Sequence, residues 1–116
     1  MATIRAYTTI EQSRKLAEIL PLESADMYYF DDNGGEPNFK VRNGITYYYD
    51  SEDFLSCWSL SALLSVLPEI QGGKPIIALD DNYIAYPHMS DLHTKADNLV
   101  DACVEMIIRL SKNELI

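Results

Sequence analysis

Two histidines, His88 and His93, bracket the short stretch HMSDLH, with Asp91 between them. Imidazoles near a carboxylate are the usual material of a metal site or an acid–base pair. The spacing argues against both. A separation of five does not stack two side chains on one helical face, as a separation of four does. No cysteine or further carboxylate follows at a ligand spacing. The pair reads as two ordinary histidines in a solvated loop, and no metal is expected. The acidic clusters Asp31-Asp32, Asp50-Ser51-Glu52-Asp53 and Asp80-Asp81 could approach a hard cation, but none has the EF-hand pattern. They fall where turns are expected.

Nucleophiles fare no better. No serine sits in a G-x-S-x-G elbow. Gly72-Gly73-Lys74-Pro75 lacks the upstream glycine of a phosphate-cradling loop and leads into a strand-like run, so it reads as a connector. Gly34-Gly35 lies in plain loop sequence. Cys57 and Cys103 stand far apart in apolar stretches, with no basic neighbour to lower a thiol pKa. They read as buried, reduced thiols. With no nucleophile, acid–base pair or ligand set, the chain is expected to be non-enzymatic and to carry no cofactor.

The tyrosines are the unusual signal. There are eight, among them Tyr28-Tyr29, Tyr47-Tyr48-Tyr49, Tyr83 and Tyr86. Strand neighbours point to opposite faces. Tyr47 and Tyr49 therefore share a face that Tyr48 does not, Tyr28 opposes Tyr29, and Tyr83 opposes Tyr86. With helices over one face, about half of these rings meet the uncovered face or its rim. They can be strand formers whose hydroxyls reach water, or an aromatic patch for a protein partner or a flat ligand. Lys40 and Arg42, two apart, could add positive charge for a nucleotide. The candidate binding set is thus Tyr47, Tyr49, Lys40, Arg42, Tyr83 and Tyr86.

The elements that must position these residues are legible from pattern. Thr8 and Glu11 have capping-box spacing ahead of an amphipathic run that Pro21 ends. Leu22 to Asp26 suits a turn or a single helical turn, and Met27 to Phe30 has strand composition. Asp31 to Asn38 is loop. Asn43-Gly44 joins two β-rich runs, NFKV and ITYYY, as a hairpin. Ser51 to Phe54 reads as an acidic turn. In CWSLSALLSVLP, Ser59 caps a short helix, Trp58 and Leu63 form a hydrophobic staple, and Pro68 stops it. PIIAL and YIAYP are strands joined by a tight turn at Asp80-Asp81-Asn82. His88 to Asp97 reads as an irregular linker. Asn98 caps a last, largely buried helix. The order α, β, β-hairpin, α, β-hairpin, α predicts one α+β domain over residues 1–116. Its architecture is a two-layer sandwich, with an antiparallel sheet carrying helices on one face.

The 116 residues carry 18 acidic and 9 basic side chains, for a net charge of −9. The basic residues are scattered, which argues against a nucleic-acid polymer as partner. No apolar run approaches the roughly 20 residues that cross a bilayer. The opening residues lack a signal-peptide core, so the expected location is the cytoplasm.

Three stretches, AYTTIEQSRKLAEILPLESADMYY, CWSLSALLSVLP and DNLVDACVEMIIRLSKNELI, resemble a group of small proteins carried by phages, prophages and other mobile elements of gut Bacteroidales and Firmicutes. The resemblance covers about half the chain. The chain departs from that pattern at Leu99, where a proline commonly follows the helix cap. What the resemblance implies is a setting, with no activity or site residues to carry over. In that setting the expected role is an accessory protein that acts by binding, against host defence. Its partner would be a host protein or a small nucleotide immune signal. The alternative is a structural or assembly role in the phage, including a homo-oligomeric scaffold.

Overall fold

The first helix starts one residue later than its pattern predicts. In the computed structural model, which describes residues 6–31, 39–44, 54–87 and 89–116, Thr9 is the N-cap of α1 (Ile10–Ala17). Its hydroxyl accepts the Gln12 amide N–H at 3.1 Å, and Gln12 Oε1 accepts the Thr9 N–H at 3.0 Å. The capping box is therefore Thr9 with Gln12, not Thr8 with Glu11. Both frames satisfy the pattern, and tertiary contacts choose between them. Thr8 is fully buried. Its hydroxyl accepts the Trp58 amide N–H at 3.2 Å and shares a 2.7 Å hydrogen bond with Ser13 Oγ. From α1, Ser13 and Leu16 are buried, as is Leu20 just beyond it. A single 3-10 turn, Leu22–Ser24, follows Pro21.

The first sheet has the order β2-β1-β3, all antiparallel, from β1 (Met27–Asp31), β2 (Phe39–Asn43) and β3 (Phe54–Cys57). Strand β3 begins at the last residue of the stretch read as an acidic turn. Its four residues, FLSC, alternate too briefly to announce a strand. The second arm of the Asn43-Gly44 hairpin, with Tyr47, Tyr48 and Tyr49, lies outside the described residues. Gly44 ends β2, donating its N–H to the Asp26 carbonyl at 2.8 Å. Its φ is +143°, and a Cβ there would stand 3.0 Å from a Tyr28 ring carbon. Gly44→Ala is expected to lower stability by about 1–3 kcal/mol through backbone strain. A urea midpoint equal to wild type would contradict that.

Helix α2 (Leu60–Val66) is capped as expected: Ser59 Oγ accepts the Ala62 N–H at 3.1 Å. The Asp26 carboxylate in turn accepts both the Ser59 N–H, at 2.9 Å, and its hydroxyl. Trp58 and Leu63 are both fully buried.

The second sheet has the order β4-β5-β6, from β4 (Ile76–Ala78), β5 (Tyr83–Tyr86) and β6 (Met89–Lys95). The tight turn between β4 and β5 is a 3-10 turn, Leu79–Asp81, closed by Asn82 in the left-handed region at φ +51°, a conformation asparagine tolerates. The stretch read as an irregular linker is mostly β6. Leu92 and Thr94 are buried while Asp91, His93 and Lys95 are exposed. That alternation is clean, but only one of its buried residues is a large hydrophobe, so composition hid the strand.

Helix α3 (Leu99–Lys112) is capped by Asn98, whose Oδ1 accepts the Asp101 N–H at 2.9 Å. It packs on β5 and β6, and α1 and α2 pack on it, while α1 also lies against β3. The Thr94 hydroxyl donates to the Ala102 carbonyl at 2.8 Å, tying strand to helix. A shared core gathers Leu16, Trp58, Leu63, Ile84, Tyr86 and Leu92 against Val100, Cys103, Ile107 and Leu110. The fold is α+β with antiparallel pairing, as the sequence predicts, and the strands among the described residues form two three-stranded sheets where one sheet is expected. No helix among the described residues is long and apolar enough to cross a membrane.

Candidate functional site

Period-two alternation gives the first sheet two unlike faces. One turns toward α1. Tyr29 and Cys57 lie there, both buried. The Tyr29 hydroxyl donates to the Thr8 carbonyl at 2.6 Å. The opposite face gathers Tyr28, Phe30 and Phe54, all half-buried, with Arg42 exposed beside them. The register explains the gathering, since Tyr28 stands opposite Arg42, and Phe30 opposite both Lys40 and Phe54. The Tyr28 ring centroid lies 6.0 Å from that of Phe30 and 5.9 Å from that of Phe54, with planes tilted by 53° and 56°. The Arg42 guanidinium carbon stands 5.0 Å from the Phe30 centroid. This cation–π contact contributes about 0.5–1 kcal/mol at an exposed site and holds a flexible side chain over the rings.

The candidate set from the sequence is divided by the fold. Arg42 belongs to this aromatic face, and Lys40 holds its register position opposite Phe30. Tyr47 and Tyr49 lie outside the described residues. Tyr83 and Tyr86 belong to the second sheet. Tyr86 is buried in the core, where its hydroxyl donates to the Pro68 carbonyl at 2.8 Å and burial pushes its pKa up to about 12. It is therefore not part of an open aromatic surface. Tyr83 is half-buried, its ring centroid 6.1 Å from that of the exposed His93. Tyr28, Phe30 and Phe54, the three rings of this face, all stand outside that candidate set. The i, i+2 relation of Tyr28 to Phe30 in MYYF was available to find the first two. Phe54 carried no such signal, because it stood in a stretch without visible strand pattern.

His93 lies on β6, where its backbone carbonyl accepts a hydrogen bond from Arg109 at 2.9 Å. His88 lies outside the described residues. Among the described residues no three His, Cys, Asp or Glu side chains gather as a metal site. A groove between α1 and α3 carries Glu11, Arg14, Lys15, Glu18 and Glu105. Its charges are of mixed sign, and Lys15 pairs locally with Glu18 at 3.9 Å. At its end Gln12 donates to the Asp101 carboxylate at 2.7 Å, joining the two helix starts.

Both thiols are free and buried. Burial pushes the Cys103 pKa from an ordinary value of 9.0 up to about 12. It also raises that of Cys57, although hydrogen bonds from Thr8 and Ser13 oppose the shift. Neither is a nucleophile at neutral pH. These raised values have a stability consequence. Above the ordinary thiol pKa the unfolded chain loses protons that the native chain keeps. For Cys103 the stabilisation is complete below about pH 9 and is lost as pH climbs toward about 12, by up to ~1.4 kcal/mol per pH unit. Urea denaturation across that range should show the fall, and Cys103→Ala should make it shallower. An unchanged slope in that variant would contradict the assignment to Cys103.

No protein-family model, no curated protein and no solved structure matches the chain.

Proposed function

We propose that the protein acts by binding, without catalysis, and that the Tyr28, Phe30, Phe54 and Arg42 face is its contact surface. The observation that carries this reading is the arginine held over an aromatic ring, within a three-ring cluster, on the sheet face turned away from α1. Tyrosine and arginine are among the residues that dominate measured interface energetics. The net charge of −9 disfavours a polynucleotide as the partner.

A host protein fits this face better than a nucleotide does. A base stacks on an open ring face. Here the rings are steeply tilted to one another, and Arg42 covers one face of Phe30. The result is a corrugated apolar surface with a cation, suited to side chains of a partner and to an acidic residue among them. The resemblance to phage and mobile-element proteins supplies the setting: an accessory protein in the host cytoplasm that blocks a defence component.

Two measurements test the reading together. Isothermal titration against a panel of nucleotide signals should give no binding heat. Capture from a Bacteroidales host lysate should yield a protein held by wild type and released by Arg42→Glu. Stoichiometric nucleotide binding would overturn the choice of a protein partner.

A further inference from the structure

The step Asn43-Gly44, at the end of β2, has chemistry of its own. An asparagine side chain can be attacked by the main-chain nitrogen of the next residue, and glycine, with no Cβ, leaves that nitrogen unhindered. Of the two Asn-Gly steps in the sequence, Asn33-Gly34 and Asn43-Gly44, the second lies within the described residues. Asn43 is the last residue of β2 and is exposed.

The fold holds this step closed. Attack closes a five-membered ring, which needs Asn43 Cβ and the Gly44 nitrogen nearly eclipsed about the bond between them. An extended residue keeps the two well apart. The Gly44 N–H is also engaged, donating to the Asp26 carbonyl at 2.8 Å. Asp26 is itself anchored, since its carboxylate accepts the Ser59 N–H and hydroxyl. The Tyr28 ring lies against Gly44, 3.0 Å from where a Cβ would stand. Reaction therefore requires the end of β2 to lift from β1, a local opening.

We propose that Asn43 is a site of spontaneous deamidation, gated by opening of the β2 end, and that conversion there dismantles the Arg42 face. In the open chain the Gly44 nitrogen, its proton lost to water, forms a bond to Asn43 Cγ. The Cγ–Nδ2 bond breaks, and that nitrogen leaves as ammonia with a proton from solvent. Water then opens the cyclic imide. Opening at Cγ gives aspartate, and opening at the main-chain carbonyl gives isoaspartate, whose chain runs on through Cβ and Cγ. Either product puts a carboxylate one residue from Arg42. Isoaspartate also lengthens the backbone between Arg42 and Gly44, so Gly44 no longer meets the Asp26 carbonyl while Asn43 stays opposite Met27. Loss of binding through this change rests on the contact face proposed above, whereas the conversion itself is read without a partner.

The purified full chain is aged in mildly alkaline buffer, folded and unfolded in guanidinium chloride, and mapped by mass spectrometry after tryptic digestion. Cleavage at Lys40 and Arg42 places the two Asn-Gly steps in separate peptides. Asn43 should convert in the unfolded chain and at least about tenfold more slowly in the folded one. Ion exchange resolves the isoaspartate form by its added negative charge, and its urea midpoint should lie below that of the unaged chain. No conversion at Asn43 in guanidinium chloride, equal rates in the two states, or an isoaspartate form with the wild-type midpoint would each overturn the proposal.

Discussion

Trp58→Ala is expected to lower the unfolding free energy by about 3–5 kcal/mol, the range for truncating a large core aromatic. Trp58 is fully buried where β3 gives way to the cap of α2. Its indole N–H donates to Ser24 Oγ at 2.9 Å, and Ser24 in turn donates to the Pro21 carbonyl at 2.6 Å. The ring thus joins the turn after α1 to the start of α2. A seven-residue helix such as α2 has no stability of its own, so removing this support should loosen the helix as well as the core. Domains of this size are stable by only about 5–15 kcal/mol in total. Urea denaturation followed by far-ultraviolet circular dichroism reads the loss without depending on the only tryptophan. Trp58→Phe separates ring from hydrogen bond and should cost much less than Trp58→Ala. A Trp58→Ala variant within about 1 kcal/mol of wild type would contradict the central place given to this residue.

Thr8→Val should cost about 2–4 kcal/mol although it changes neither size nor shape, because it strands buried polar groups at roughly 1–3 kcal/mol each. The Thr8 hydroxyl meets three partners in a site without water access: the Trp58 N–H, the Ser13 hydroxyl at 2.7 Å and Cys57 Sγ at 3.5 Å. The Thr8 carbonyl still accepts from Tyr29 in the variant, since that bond uses the backbone. The substitution therefore isolates the hydroxyl. Combined with Ser13→Ala, the second change should cost less than it does alone, as expected for residues of one hydrogen-bonded network. Strict additivity of the two would show that Thr8 and Ser13 do not act together. This network also accounts for the shift of the capping box, because a threonine engaged in the core is no longer free to cap a helix.

What the sequence made legible divides along physical lines. Local signals held where one residue decides an outcome. Ser59 and Asn98 cap their helices, Asn82 closes a tight turn, and Trp58 and Leu63 lie in the core. Signals failed where tertiary partners decide. Two threonines offered equivalent capping frames, and only the partners of Thr8 distinguish them. Strand β6 was hidden because its inward side is Leu92 and Thr94, one of them polar and satisfied by the Ala102 carbonyl. Strand β3 was hidden because it is four residues long. That second omission mattered for the site, since β3 brings Phe54 to Tyr28. The choice of Arg42 came from charge and spacing. Its ring partner followed only once β1 and β2 were paired in register.

The contact face is most directly tested by the dissociation constant of the captured host partner, reconstituted from purified components. Arg42→Glu should weaken it at least about tenfold, since a hot-spot arginine contributes more than about 1 kcal/mol. Lys95→Glu, an equal change of charge at an exposed position on the second sheet, should leave it within about twofold. Equal weakening by both variants would reduce the effect to net charge, and no weakening by Arg42→Glu would contradict the assignment of this face.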